Sequence, residues 1–204
     1  MAYEDPGKEI RRRVDALVLA VNSALLAHYQ KNKTNAKEQI SVSVATGAGG
    51  QVRTPEEQAA YLLKGTSWTC NGSHMADGAK HILVKQGGQV VWQLGNLASK
   101  QKDAWGVLVK TWNGVMNTQD LRNFKGTKNF DYPGSDPLHM ELPDSRLMDN
   151  DPRVIKCLEV YAKATRLEGK AKNLPYETTK GSQSQKDWLK AYDTNLAKLG
   201  GKGK

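Results

Sequence analysis

Residues 81–94, HILVKQGGQVVWQL, contain the strongest hairpin signal in the sequence. Two apolar runs flank Gly87 and Gly88, and glycine readily adopts the positive backbone φ angles that a two-residue hairpin turn requires. With this turn, Val84 would face Val91 across the ribbon. Because apolar side chains occupy both faces, we expect the ribbon to be covered on both sides or to take part in assembly.

A second strand and several helices accompany this hairpin. Residues 39–45, QISVSVA, alternate strictly between apolar and polar side chains, which is typical of a half-buried strand. Apolar residues that recur with the 3.6-residue period of an α-helix predict helices over residues 8–31, 54–64, 99–116, 151–172 and 188–199. The sequence therefore predicts a predominantly helical α+β fold with about five helices and a small antiparallel β element.

The order of these elements indicates two parts. Residues 1–150 would form a mixed helical core that carries the hairpin, and residues 151–204 a basic helical segment with a flexible tail. Within the first part, residues 117–150 are punctuated by glycine and proline and show neither a helical nor a strand period. Such a long segment without regular structure is unusual in a compact domain, so we expect it to wrap a neighbour or a ligand.

Positive charge is unevenly distributed along the chain. The net charge is +9, and residues 152–204 hold 12 Lys+Arg against 5 Asp+Glu, whereas residues 134–151 are acidic. Three adjacent arginines also open the first helix, where they oppose the helix dipole; either an anionic partner explains them or they form an ordinary exposed first turn. Basic segments favour polyanions because neutralising phosphates releases counterions. The residues predicted to contact phosphate are Arg11, Arg12, Arg13, Lys156, Lys163, Arg166 and Lys170.

Cysteine content and hydropathy indicate which cellular compartment the protein occupies. Cys70 and Cys157 lie far apart in the sequence and form no CxxC pair, so we expect no disulfide framework and a reducing compartment. The first residues are charged and lack the apolar stretch of a secretory signal, and no apolar run is long enough to span a membrane. We therefore expect an intracellular, cytoplasmic location or a place in a virion, without a membrane partner.

Motifs for cofactors and metals are weak. TGAGG at residues 46–50 lies between a strand and a helix, but neither the P-loop pattern nor GxGxxG is complete there. Cys70, His74 and His81 could supply metal ligands, yet their spacing matches no established metal-binding pattern. The sequence therefore predicts no cofactor, no metal and no catalytic set of residues.

His139 is the histidine with the most acidic surroundings in the sequence. The carboxylates near it are Asp136, Glu141, Asp144, Asp149 and Asp151. A histidine with carboxylates can perform general acid–base chemistry or hold a divalent ion for phosphodiester cleavage. The competing interpretation is a solvated acidic loop that complements the basic helices of a neighbour.

Three functions remain open from the sequence. The first is a non-enzymatic nucleic-acid-binding structural protein, on RNA or DNA, that self-assembles as a nucleocapsid or viral coat subunit does. The second is a metal-dependent nuclease, or another enzyme that processes nucleic acid, using His139 and the nearby carboxylates. The third is a basic scaffold or adaptor that binds an acidic protein. The charge distribution and the lack of a catalytic motif favour the first.

Overall fold

The computed structural model of the chain describes residues 3–46, 50–64, 67, 70–134, 136–148 and 151–167. Across these residues the fold is α+β, as predicted, with five α-helices and one small antiparallel sheet of four strands. In chain order the elements are α1 (Pro6–Asn32), β1 (Ile40–Val44), α2 (Pro55–Leu63), β2 (Ala79–Gln86), β3 (Gln89–Val90), α3 (Leu94–Lys100), α4 (Lys102–Thr118), β4 (His139–Glu141) and α5 (Pro152–Leu167). The predicted helix over 188–199 lies outside the described residues.

The chain packs as two units, and each is assembled from two separate stretches of sequence. The first unit comprises Met1–Gln51 and Asp77–Ser145, and it contains the whole sheet together with α1, α3 and α4. The second comprises Val52–Ala76 and Arg146–Lys204, and it contains α2 and α5. The sequence-based division at residue 150 did not group α2 with α5, because their packing joins residues that are far apart in the chain.

Strand β2 is the centre of the sheet and pairs antiparallel with the other three strands. The predicted hairpin is confirmed: Lys85 pairs with Val90, and Gly87 and Gly88 adopt φ angles of 54° and 84° at the turn. Strand β3 ends at Val90, and Trp92 is 78% exposed. Trp92 is therefore a large apolar side chain of the predicted ribbon that is exposed in this unit.

The segment 117–150 is not irregular throughout, contrary to the prediction. Residues His139–Glu141 form β4 against the start of β2, and Arg122 and Glu141 exchange backbone hydrogen bonds of 2.8 Å. This strand escaped prediction because three residues are too few to show a period of two.

The core of the first unit lies between α1, α4 and the sheet. Helix α1 buries the apolar stripe that its period predicts, and Val14, Leu17 and Val21 are fully buried. From α4, which accounts for the predicted helix over 99–116, Trp112 joins the same cluster. Each such side chain contributes about 1.5–3 kcal/mol by leaving water. This core holds the sheet, and with it the β2–β4 ladder, in a fixed frame.

The second unit is built on the packing of α2 against α5. A capping box starts α2: the Glu57 N–H donates to Thr54 Oγ1 at 3.2 Å, and the Thr54 N–H donates to Glu57 Oε2 at 2.8 Å. Helix α5 buries Val154, Leu158 and Tyr161 along one side. Within the described ranges, none of the helices in either unit combines the length and apolar composition of a membrane span.

Candidate metal centre

The β2–β4 ladder brings two histidines together. His81 is the third residue of β2, His139 is the first residue of β4, and the two are direct register partners. Directly paired residues of an antiparallel ladder project their side chains to the same face of the sheet. The two imidazole rings accordingly meet edge to face, with centroids 5.2 Å apart and ring planes inclined at 75°. One ring nitrogen of His81 lies within 4.8 Å of one of His139.

A carboxylate from the turn before β4 contacts both histidines. The Asp136 Oδ2 atom is 3.1 Å from His81 Nε2, a hydrogen-bonding distance, and 3.8 Å from His139 Nδ1. The Asp136 side chain is 38% exposed, whereas that of His81 is 21% exposed. Asp136 therefore links the two imidazoles and is also the member of the cluster most open to solvent.

A second carboxylate supports His139 from inside the unit. Glu141 follows His139 by two residues in β4, so both side chains lie on the same face of the strand. Glu141 Oε2 is 3.1 Å from His139 Nε2, and both side chains are buried. The backbone bridge to Arg122 fixes Glu141, and the Phe124 ring meets the His139 ring edge to face at 6.0 Å between centroids. His139 is therefore held in one orientation.

The atoms at the centre of this cluster are spaced as the ligands of one metal ion would be. Zn²⁺ binds imidazole nitrogen at about 2.0–2.1 Å, so two ligands of a tetrahedral shell lie roughly 3.4 Å apart. The separations from Asp136 Oδ2 to His81 Nε2 and His139 Nδ1 are 3.1 and 3.8 Å. Glu141 has the position of the outer carboxylate that commonly orients a metal-binding histidine. Because Glu141 engages Nε2 of His139, the Nδ1 atom is the one turned toward Asp136.

Comparison with known proteins adds no assignment to this centre. No protein-family model, curated protein or solved structure matches this chain. The chemistry of the centre is therefore inferred from its own imidazole and carboxylate groups. Imidazole nitrogens can bind a transition metal, an exposed carboxylate can accept a proton, and a buried carboxylate can orient an imidazole.

The three arginines predicted to contact phosphate have different surroundings on α1. Arg12 Nη2 and Arg13 Nε bond to the Glu9 carboxylate at 2.8 and 2.7 Å, and these bonds lower the pKa of Glu9 to about 2. Arg13 Nη1 also donates to the Gln119 carbonyl oxygen at 2.7 Å, at the C-terminal end of α4. Arg13 therefore joins α1 to α4, whereas Arg11 and Arg12 are exposed at the surface.

The basic residues predicted on α5 belong to the second unit. Lys156 and Lys163 are exposed, and Lys156 Nζ is 3.8 Å from Glu159 Oε2. Arg166 lies in α5, but its side chain and all of Lys170 lie outside the described residues. Exposure leaves Lys156 and Lys163 accessible to an anionic partner, which phosphate contact requires.

Other carboxylates that neighbour His139 in the sequence have separate surroundings. Asp151 accepts a hydrogen bond from the Arg153 N–H at 2.8 Å at the start of α5, and bonds from the Arg153 guanidinium lower the pKa of Asp151. Asp144 is exposed, and Asp149 lies outside the described residues. Of the predicted acidic set, Asp136 and Glu141 are the members that the described part of the first unit brings to His139.

Sequence reasoning assigned His139 to an acidic cluster but placed His81 in a different candidate set, with Cys70. The Cys70 sulfur instead lies 2.9 Å from that of Cys157 in the second unit. No pattern in the sequence indicates that His81 belongs with His139, because the two are brought together by strand register. Their pairing places the His81 imidazole beside the acids of that cluster.

Proposed function

We propose that this chain is a metal-dependent hydrolase whose centre is built on His81 and His139. The observation that carries the proposal is the approach of His81 Nε2 and His139 Nδ1 to one oxygen of Asp136, at 3.1 and 3.8 Å. Two imidazoles and an acid at these separations, on strands held by a buried core, form a preorganised ligand set. This arrangement favours an enzyme over the purely structural role that the charge pattern predicted.

Zn²⁺ is the ion that suits these donors best. Imidazole nitrogen binds transition metals such as zinc, copper, iron and nickel, whereas Mg²⁺ and Ca²⁺ prefer oxygen ligands. Catalytic zinc sites commonly use three protein ligands and keep a fourth position open. His81 and His139 supply two imidazoles, and Asp136 can supply the third ligand.

The two carboxylates have different roles because they hold different positions. Asp136 Oδ2 lies within 4 Å of a nitrogen of each imidazole, so Asp136 is the proposed third protein ligand. Glu141 is buried beside His139 Nε2, where it orients the imidazole. A bound zinc ion lowers the pKa of its water to about 7, which makes hydroxide available at neutral pH.

The expected substrate is an amide or an ester. Two-metal sites, with ions about 3.5–4 Å apart, are the usual arrangement in nucleases and phosphatases. The cluster on the β2–β4 ladder has one pair of imidazoles and one exposed acid, which suits a single ion. Single-zinc sites serve amide hydrolysis in thermolysin and carboxypeptidase A. The net charge of +9 additionally favours a substrate carried on an anionic molecule.

Zinc binding tests the centre directly. The full chain is stripped of metal with a chelator and titrated with Zn²⁺ by calorimetry, and the bound metal is counted by elemental analysis. His81→Ala and His139→Ala are compared with His28→Ala, a control on α1. We expect one zinc ion per chain in the wild type and the control, and at least about tenfold weaker binding in His81→Ala and His139→Ala. Unchanged affinity in both variants would refute the centre.

Turnover is then measured on a panel of chromogenic amides and esters, with labelled RNA and DNA for comparison. Asp136→Asn should weaken zinc binding and lower turnover together, because it replaces the proposed third ligand by an amide of the same shape. Cleavage of nucleic acid without cleavage of amides or esters would replace the proposed substrate class by phosphodiesters. Zinc binding without turnover on any substrate would reject the enzymatic function.

Polyanion binding is a second candidate, favoured by the exposure of Arg11, Lys156 and Lys163. It retains the proposal of a nucleic-acid-packaging subunit that self-associates. Affinity for generic single- and double-stranded nucleic acid is measured against salt concentration for the wild type and for Lys156→Gln/Lys163→Gln. Each lost phosphate contact should reduce the salt slope by about 0.7–0.9. Absence of binding at low salt would reject this candidate, and particle size with and without nucleic acid tests assembly.

A further inference from the structure

Two cysteines meet in the core of the second unit. Cys70 follows α2 and Cys157 lies within α5, and the two residues are 87 positions apart in the chain. Both are free thiols and are 0% exposed, and their sulfur atoms are 2.9 Å apart. They share an apolar cluster that joins the two helices, with Ala59, Leu62, Met75, Val154, Leu158 and Tyr161.

The separation of the sulfurs is close to that of a bonded pair. A disulfide has an S–S distance of about 2.03–2.05 Å, so the sulfurs need to approach by only about 0.9 Å. Packing of α2 against α5 already holds the two side chains face to face. The two sulfurs therefore already lie close enough for a small adjustment of the side chains to bring them within bonding distance.

We infer that Cys70 and Cys157 form an intramolecular disulfide that ties α5 to the segment following α2. The co-reactant is a low-molecular-weight disulfide such as oxidised glutathione. One thiolate attacks it and releases one reduced thiol, and the second cysteine then displaces the other. The two cysteine sulfurs lose two electrons and two protons in total, and both protons leave on the two reduced thiols.

Burial determines when this bond forms. The attacking species is the thiolate, and burial raises the pKa of the Cys70 thiol, so attack is disfavoured in the closed core. Oxidation therefore occurs while the chain folds or when the unit opens, and it is slow in the native state. The same burial protects the finished disulfide from soluble reductants. The redox state set during folding is thus retained.

The disulfide would attach α5 to its unit by a covalent bond in addition to its apolar contacts. Without the bond, α5 is held by the apolar contacts of Val154, Leu158 and Tyr161. With it, a long loop of the chain is closed, and the unfolded state loses conformational freedom. The exposed Lys156, adjacent to Cys157, is then presented from a covalently fixed helix.

Refolding of the full chain in glutathione redox buffers tests the inference. Thiols are alkylated under denaturing conditions after acid quenching, and the products are analysed by intact mass and non-reducing peptide mapping. We expect a monomer lighter by two hydrogens, without alkylation, and one peptide that links residues 70 and 157. Its thermal midpoint should exceed that of the reduced chain by several degrees.

Cys70→Ser and Cys157→Ser should each leave one thiol open to alkylation. In each variant the thermal midpoint should be the same in oxidising and reducing buffers. Peptide mapping of the wild type decides the matter even if these variants fold poorly. Quantitative alkylation of both cysteines after oxidative refolding, or cross-links only between molecules, would overturn the inference.

Discussion

His81 and His139 are direct partners across the β2–β4 ladder, and their imidazole rings meet edge to face with centroids 5.2 Å apart. The ladder also selects the neighbours of these rings, because Glu141 follows on the same face of β4 and Asp136 precedes it in the turn. A slip of β4 by one residue would turn His139 to the opposite face and disperse the cluster. The chemistry of the centre therefore depends on strand register.

Glu141→Gln should weaken zinc binding by about 10–100-fold, because an outer carboxylate raises the basicity of the imidazole that it orients. Glutamine keeps the size of the side chain and can still bond to His139 Nε2, but it removes the charge. Affinity is measured by competition with a chromogenic chelator.

The control for this substitution is Glu159→Gln, which changes a surface carboxylate near Lys156 in the other unit. It should leave zinc affinity unchanged. Equal losses in the two variants would show that overall charge, and not the contact with His139, determines the affinity.

The elements that could be predicted are those whose signal is local. The stripe of Val14, Leu17 and Val21 needs only the helical period, and the hairpin at Gly87 needs only a turn between two apolar runs. Strand β4 has no comparable local signal, since it exists through its pairing with β2. Prediction therefore succeeded for α1, α2, α4, α5 and the hairpin, and it missed α3 and the strand that carries His139.

The functional residues divide in the same way. Composition alone placed His139 among acids, whereas His81 joins them through a pairing between distant parts of the chain. Arg13 was predicted to contact phosphate because it stands in a run of arginines. Its guanidinium bonds to Glu9, one helical turn away, and to the Gln119 and Asp120 carbonyl oxygens just after α4, and no local pattern predicts these last two contacts.

Arg13→Ala should lower the free energy of unfolding by about 1–3 kcal/mol, because it leaves the Gln119 and Asp120 carbonyl oxygens without their donor. Arg12→Ala removes an exposed ion pair with Glu9 and a 3.4 Å bond to Gln119 Oε1, and it should destabilise the chain less. Urea denaturation of both variants measures the difference. If Arg12→Ala were as destabilising as Arg13→Ala, the bonds from Arg13 to the two backbone carbonyls would not be the source of the effect.

The ion pairs of Glu9 should contribute stability that depends on pH. The pKa of Glu9 falls from an ordinary value of 4.5 to about 2 through bonds to Arg12 and Arg13. Because the folded-state pKa is the lower one, this stability is fully present above pH 4.5 and is lost as the pH falls toward 2. The wild type should therefore exceed Glu9→Gln in unfolding free energy near neutral pH, and the gap should close in acid.

Denaturant titrations across this range measure the gap between the wild type and Glu9→Gln. The same comparison in an Arg12→Ala/Arg13→Ala background is the control, since Glu9 then has neither guanidinium partner. A gap that stayed constant as the pH fell would contradict the assignment of the effect to these pairs.

Gly87→Ala should destabilise the first unit more than Gly88→Ala, although both positions have positive φ angles of 54° and 84°. The left-handed conformation costs about 1–2 kcal/mol for a residue with a Cβ atom, which applies to both variants. A Cβ at position 87 would also lie 2.7 Å from the Lys37 carbonyl oxygen, whereas one at position 88 has no neighbour within 4 Å. Unfolding free energies from urea titration rank the two, and the reverse order would mean that the approach of Lys37 to the turn does not limit the side chain there.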